Sequence, residues 1–216
     1  MFEPCLRVKA IMNKYGYPWF IAGGWAIDLF LNRETREHED IEIGIYRKNQ
    51  MQLYRYFGKQ KKYYIDNTSH IGKKERRVWN KEYLRLPIHE VYVEYEGLEI
   101  EVLLNEKYED NWIYRLNEKI KLNEEKAILY TDKEIPYLCP EIVLLYKSKY
   151  MRNKDIADIS NASKKMDESQ KKWLMENIED KKKAEYEFAQ WKKQHRQKDM
   201  EDTVAVAQYV VDAVNA

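Results

Sequence analysis

The chain has 216 residues, of which 44% are hydrophobic and 35% charged, and its net charge is +1. That length holds one large domain or two small ones, and with this apolar content disorder is not the default reading. The charge balance argues against a nucleic-acid binder working through a broad basic field, and two isolated thiols, Cys5 and Cys139, make neither a disulfide framework nor a cysteine metal cluster.

Met1-Phe2-Glu3-Pro4 shows no basic n-region followed by an apolar h-region, so a signal peptide is not expected, and no apolar run approaches the ~20 residues of a membrane span. A reducing cytoplasmic setting without membrane attachment is the expectation. Leu6, Ala10, Ile11 and Tyr15 have helical spacing, closed by Gly16. Trp19 to Ala22 reads as a short buried strand, broken by Gly23-Gly24. Trp25, Leu29 and Phe30 then suggest a helix. Ile41, Ile43 and Ile45 alternate with Asp40, Glu42 and Gly44, which predicts a strand with one apolar and one acidic face. Met51, Leu53, Tyr54 and Phe57 predict another helix. Val91 to Tyr95 and Leu98 to Leu104 alternate about Glu96-Gly97, a β-hairpin signal.

Composition changes near Pro136 and Pro140. Pro140 suits the first turn of a helix from Glu141 to about Met151, and Asp167 with Gln170 resembles a capping box. Ala184, Phe188, Trp191 and His195 share a helical face, and Val204 to Val214 suggest a last helix, which packs on its own domain or forms a homodimer contact. The expected fold class is α+β: a mixed sheet with flanking helices over residues 1–135, then a helical domain over 136–216.

Gly23 and Gly24 sit where a strand feeds a helix. Amides at a helix start lack internal partners and favour anions, and glycine admits a phosphate close to the backbone. A tight connection without ligand is the competing reading. Side chains two apart on a strand share a face, so Asp40 and Glu42 lie side by side with Cα atoms roughly 6.8 Å apart. At that separation two anions repel by about 2.4 kcal/mol at an effective dielectric of 20. Mg²⁺, which takes carboxylate and phosphate oxygens together, is the natural counter-charge if the face is enclosed. An exposed acidic face on an edge strand is the plain alternative. Glu99 and Glu101 form a second pair, and one of them beside Asp40 would complete a two-metal site or take a proton from an attacking hydroxyl. Arg36 suits phosphate oxygens, Lys147 and Lys149 ride the helix after Pro140, and His38 is a phosphate donor, a proton carrier or a structural ring. For each lone basic residue a surface charge is the competing reading.

Ala22-Gly23-Gly24-Trp25-Ala26-Ile27-Asp28, followed by Thr35-Arg36-Glu37-His38-Glu39-Asp40-Ile41-Glu42-Ile43, resembles the aminoglycoside 2''-adenylyltransferase and lincosamide nucleotidyltransferase group of the DNA polymerase β-like superfamily. The resemblance implies a catalytic mixed-sheet domain, a helical domain and a cleft between them. It implies transfer of a nucleoside monophosphate from an NTP, expected to be ATP, to a hydroxyl of a small molecule such as an antibiotic, with release of pyrophosphate. Asp40 and Glu42 would hold two Mg²⁺ ions with Glu101 as third carboxylate, or Glu99 in its place. Gly23 and Gly24 would hold the triphosphate, helped by Arg36 and Lys147 or Lys149. Glutamate at position 42 departs from the frequent Asp-x-Asp by one methylene. Two rival readings remain at this level: a tRNA or protein acceptor, and a catalytically silent nucleotide-binding module.

Overall fold

The computed structural model describes residues 1–68, 74–149 and 152–178. In chain order its elements are α1 (Glu3–Met12), β1 (Trp19–Ile21), α2 (Gly23–Leu31), β2 (Ile41–Tyr46), a 3-10 turn (Arg47–Asn49), α3 (Gln50–Tyr56), β3 (Lys62–Asp66), β4 (Glu75–Val78), β5 (Glu90–Tyr95), β6 (Leu98–Tyr108), β7 (Asn111–Ile113), β8 (Lys121–Asn123), α4 (Glu124–Ala127), β9 (Ile128–Tyr130), β10 (Pro136–Leu138), α5 (Pro140–Lys147), α6 (Asn153–Ser163) and α7 (Glu168–Asn177). This is an α+β fold. The helical segments expected around Ala184–His195 and Val204–Val214, and the dimer contact read from the latter, lie outside the described residues.

The chain divides into two compact units. One comprises Met1–Leu29 and Arg33–Leu138; the other comprises Phe30–Asn32 and the chain from Cys139 onward. The first unit holds a mixed sheet in the order β4-β3-β5-β6-β2-β1-β10-β9, with β7 and β8 branching from β6. The pairs β2–β6 and β1–β10 are parallel and the others antiparallel. β2 therefore runs through the interior of the sheet. Ile41, Ile43 and Ile45 bury one face of it together with Val91, Val93, Ile100, Val102 and Leu104. Fully burying such a side chain contributes about 1.5–3 kcal/mol. On the opposite face of β2, Gly44 lies under the Phe20 ring, and any Cβ there would overlap it.

The β5–β6 hairpin turns at Glu96-Gly97 as the sequence predicts, with both residues at positive φ and Tyr95 opposite Leu98. Three expectations shift. α1 buries Cys5, Val8 and Met12, continued by Tyr15, while Ala10 is exposed and Leu6 half-buried. Both stripes satisfy helical spacing, so periodicity alone could not choose between them. β10 extends the sheet past the change of composition, because Pro136–Leu138 pairs with both β1 and β9. α5 ends at Lys147, short of Met151.

In the second unit α5 starts at Pro140, whose missing N–H costs nothing in a first turn. α7 opens with the expected capping box: the Gln170 amide donates to Asp167 Oδ1 at 2.9 Å, and the Asp167 amide donates to Gln170 Oε1 at 3.1 Å. The Gln170 side chain also donates to Glu141 of α5 at 3.0 Å. α6 mixes its few buried apolar positions, Ile156 and Ala162, with buried polar ones. Its inward positions include Asp155, Asp158, Ser160 and Ser163. No described helix is long and apolar enough to cross a membrane.

Candidate active site

The candidate site forms where β1 turns into α2 beside the start of β2. Gly23 is the first residue of α2 and has φ +58, a conformation that side chains disfavour. Space imposes the same choice. A Cβ on Gly23 would overlap the Glu42 carboxylate, which lies directly against the turn. The extra methylene of Glu42 is thus used to reach over the glycine. A Cβ on Gly24 would lie 2.6 Å from His38 Cε1 and 2.7 Å from Nδ1, and would overlap a terminal nitrogen of Arg36. Gly23, Gly24, Arg36, His38 and Glu42 are therefore brought to one place.

Asp40 does not belong to β2 but immediately precedes it, and it is exposed. The Trp25 indole N–H donates to the Asp40 backbone oxygen at 3.0 Å, and the same indole stacks on the His38 ring with centroids 4.3 Å apart. Helix α2 thus grips both the loop and the backbone of the first carboxylate.

Across the sheet, Glu42 pairs directly with Glu101 on the parallel strand β6, Glu101 with Tyr92, Tyr92 with Tyr63, and Tyr63 with Val78. Directly opposed residues share a face, so Glu42, Glu101 and the two tyrosines form one row. Burial is the largest influence on Glu101, followed by the negative charges of Glu42, Glu90 and Asp40. Against a hydrogen bond from Tyr92, they push its carboxyl up to about 8.

The two glutamates on β6 part company here. Glu99 is exposed and hydrogen-bonded to Arg76, whose guanidinium lies 4.3 Å from the Tyr63 ring centroid and 5.0 Å from that of Tyr92. Glu101, not Glu99, faces Glu42. The sequence expectation for the lysines also changes. Lys147 is bound at 2.7 Å to Asp155 and at 2.8 Å to Asp158 within the second unit. Lys149 lies beyond the end of α5 and is exposed. Asp28, to which sequence reasoning gave no role, is fully buried and accepts from Thr35 Oγ1 at 2.5 Å and from His38 Nε2 at 2.7 Å. A carboxylate in the apolar stripe of a short helix was the signal available for it.

Among the described residues, no three side chains of His, Cys, Asp or Glu stand close enough to hold a metal ion by themselves. The donor set nevertheless fits Mg²⁺. Asp40, Glu42 and Glu101 are all hard oxygen donors, and the field that raises Glu101 is one a cation would relieve. Mg²⁺ ordinarily takes only one or two protein carboxylates and completes its shell with water and substrate phosphates, so a closed protein cage is not required.

The glycine turn opening α2, with Glu42 on the neighbouring strand and Glu101 on its parallel partner, belongs to a fold known elsewhere. Two solved structures share it. The crystal structure of the lincosamide antibiotic adenylyltransferase LnuA, lincomycin-bound, aligns over 76% of this chain and 98% of its own, with TM-score 0.51 and 18% identity. The crystal structure of ANT(2'')-Ia in complex with adenylyl-2''-tobramycin aligns over 79% and 94%, with TM-score 0.52 and 13% identity. No curated protein sequence matches the chain. Residues 5–162 match the aminoglycoside-2''-adenylyltransferase family. The chain belongs to that family and is a nucleotidyltransferase.

Proposed function

We propose that this protein transfers the adenylyl group of ATP to a hydroxyl of an aminoglycoside or lincosamide antibiotic and releases pyrophosphate. The observation that carries the reading is the placement of Glu42 between the Gly23 turn and Glu101 on the adjacent parallel strand. The family supports the adenylyl donor and the antibiotic acceptor.

In this reading the first amides of α2 and the Arg36 guanidinium bind the triphosphate over Gly23 and Gly24. Asp40, Glu42 and Glu101 would hold Mg²⁺, which offsets phosphate charge and polarises the α-phosphate when bound. Glu101 orients the acceptor hydroxyl and takes its proton. The acceptor oxygen bonds to the α-phosphorus as the bond to the β-phosphate bridging oxygen breaks, and that oxygen leaves with pyrophosphate. Catalysis is then mostly positioning and charge stabilisation, as expected for this class of transfer. The carboxylates gathered on this face also suit an acceptor bearing ammonium groups.

The test is pyrophosphate release from ATP and magnesium across a panel of aminoglycosides and lincosamides. Asp40→Asn should lower turnover by about a hundredfold to a thousandfold with an unchanged melting temperature. Transfer that survives Asp40→Asn, or a parent protein inert with every antibiotic of the panel, would sink the reading.

A further inference from the structure

Asp28 has no part in the transfer just described, yet it is the most enclosed charged group near the site. Its two oxygens are used separately: Oδ1 accepts from the Thr35 hydroxyl at 2.5 Å, and Oδ2 accepts from His38 Nε2 at 2.7 Å. A carboxylate can only accept, so the ring proton sits on Nε2. The side chains of Asp28 and His38 are 0% and 3% exposed. Thr35 and His38 bracket Arg36 in sequence, and the Arg36 guanidinium and the other edge of the His38 ring both lie over Gly24.

We propose that Asp28 is a positioning residue for nucleotide binding: by gripping Thr35 and His38 together it fixes the loop on both sides of Arg36 and aims that guanidinium over the glycine turn. Two observations meet here. The carboxylate is on the helix whose N-terminus carries the turn, so turn and loop are held by one rigid element. The Trp25 stack on His38 closes the ring's remaining freedom. A long arginine side chain loses rotamer freedom when ordered, and a pre-set loop lowers what nucleotide binding must still supply. The inference rests on the reading of Arg36 as a phosphate ligand.

The test is calorimetric binding of a non-hydrolysable ATP analogue with magnesium, with melting temperature and proton NMR of the ring N–H of His38 as controls. Thr35→Val removes one of the two donors with little change of shape. It should raise Kd about threefold to tenfold, and Thr35→Ser should restore it. Arg36→Ala should weaken binding further. The combined Thr35→Val, Arg36→Ala variant should bind no worse than Arg36→Ala alone within about twofold, because the two act through one contact. Asp28→Ala should remove the hydrogen-bonded ring N–H signal and match Arg36→Ala in Kd. Should Asp28→Ala not fold, the Thr35 and Arg36 cycle decides by itself. The proposal is overturned if Thr35→Val leaves Kd within about 1.5-fold of the parent, or if its loss multiplies with that of Arg36→Ala. A parent that binds no nucleotide overturns this inference and the functional reading together. Multiplying losses in a parent that does bind overturn the positioning role alone.

Discussion

Glu99 and Glu101 stand two residues apart on the same face of β6, yet they have opposite surroundings. Toward the edge of the sheet, Glu99 meets Arg76 of β4, and the pair stays exposed. Toward the interior, Glu101 meets Glu42 across a parallel ladder and is half-buried, with Tyr92 on its other side. The same contrast recurs in the second unit, where the buried carboxylates of Asp155 and Asp158 share Lys147. In two of these regions a cation of the protein, Arg76 or Lys147, lies against the carboxylates. The third sets Glu42 and Glu101 side by side next to a glycine turn that the Arg36 guanidinium also reaches.

The largest effect that would sharpen this comparison is on rate. Glu101→Gln should lower kcat by about 10²–10⁴-fold, the range expected for losing a general base, measured by pyrophosphate release. A loss equally large in Glu99→Gln would break the distinction between the two glutamates.

Next is stability in the compensated unit. Asp155→Asn leaves the Lys147 ammonium short of one partner and should cost about 3 kcal/mol in denaturant unfolding. Its pH dependence follows from its surroundings. Burial alone would raise the Asp155 carboxyl, but the hydrogen bonds from Arg152 and Lys147 outweigh burial and hold it below its ordinary value of 3.8. A depressed folded value means the stabilisation is complete above the unfolded value and is lost as pH falls through the folded one. The parent should therefore lose stability on acidification below about pH 4, and Asp155→Asn should show a flatter acid limb.

Gly44→Ala tests how tightly the inner sheet is packed. Its new methyl group would meet the Phe20 ring, and a cost of about 1–3 kcal/mol is expected from overpacking, read as a lowered melting temperature. The smallest effect belongs to the edge. Glu99→Gln should change stability by less than about 1 kcal/mol, as exposed ion pairs do, and turnover by less than about twofold.

How far the site could be read ahead of the structure depended on whether its signal was local. The Gly23-Gly24 turn, the alternation of β2 and the Glu96-Gly97 hairpin each declare themselves within a few residues. β3 and β4 do not: Lys62–Asp66 mixes polar and aromatic side chains whose burial depends on which strand lies beside them, and Glu75–Val78 is mostly charged and wholly exposed. α6 was missed because carboxylates and hydroxyls interrupt its buried face, leaving Ile156 and Ala162 as the buried apolar side chains, too few to stand out as a periodicity. Lys147 looked available for phosphate only while Asp155 and Asp158 were distant letters in the chain.

Residue order by itself determined the turn, the alternating strands and the facing of Glu42, since these follow from backbone periods of a few residues. Only the tertiary structure decided that Glu101 rather than Glu99 meets Glu42, that Asp28 grips both flanks of Arg36, and that Lys147 is already taken. The reason is physical: facing is a property of one strand, whereas a partner is chosen by the long-range register that buries the most apolar surface at once.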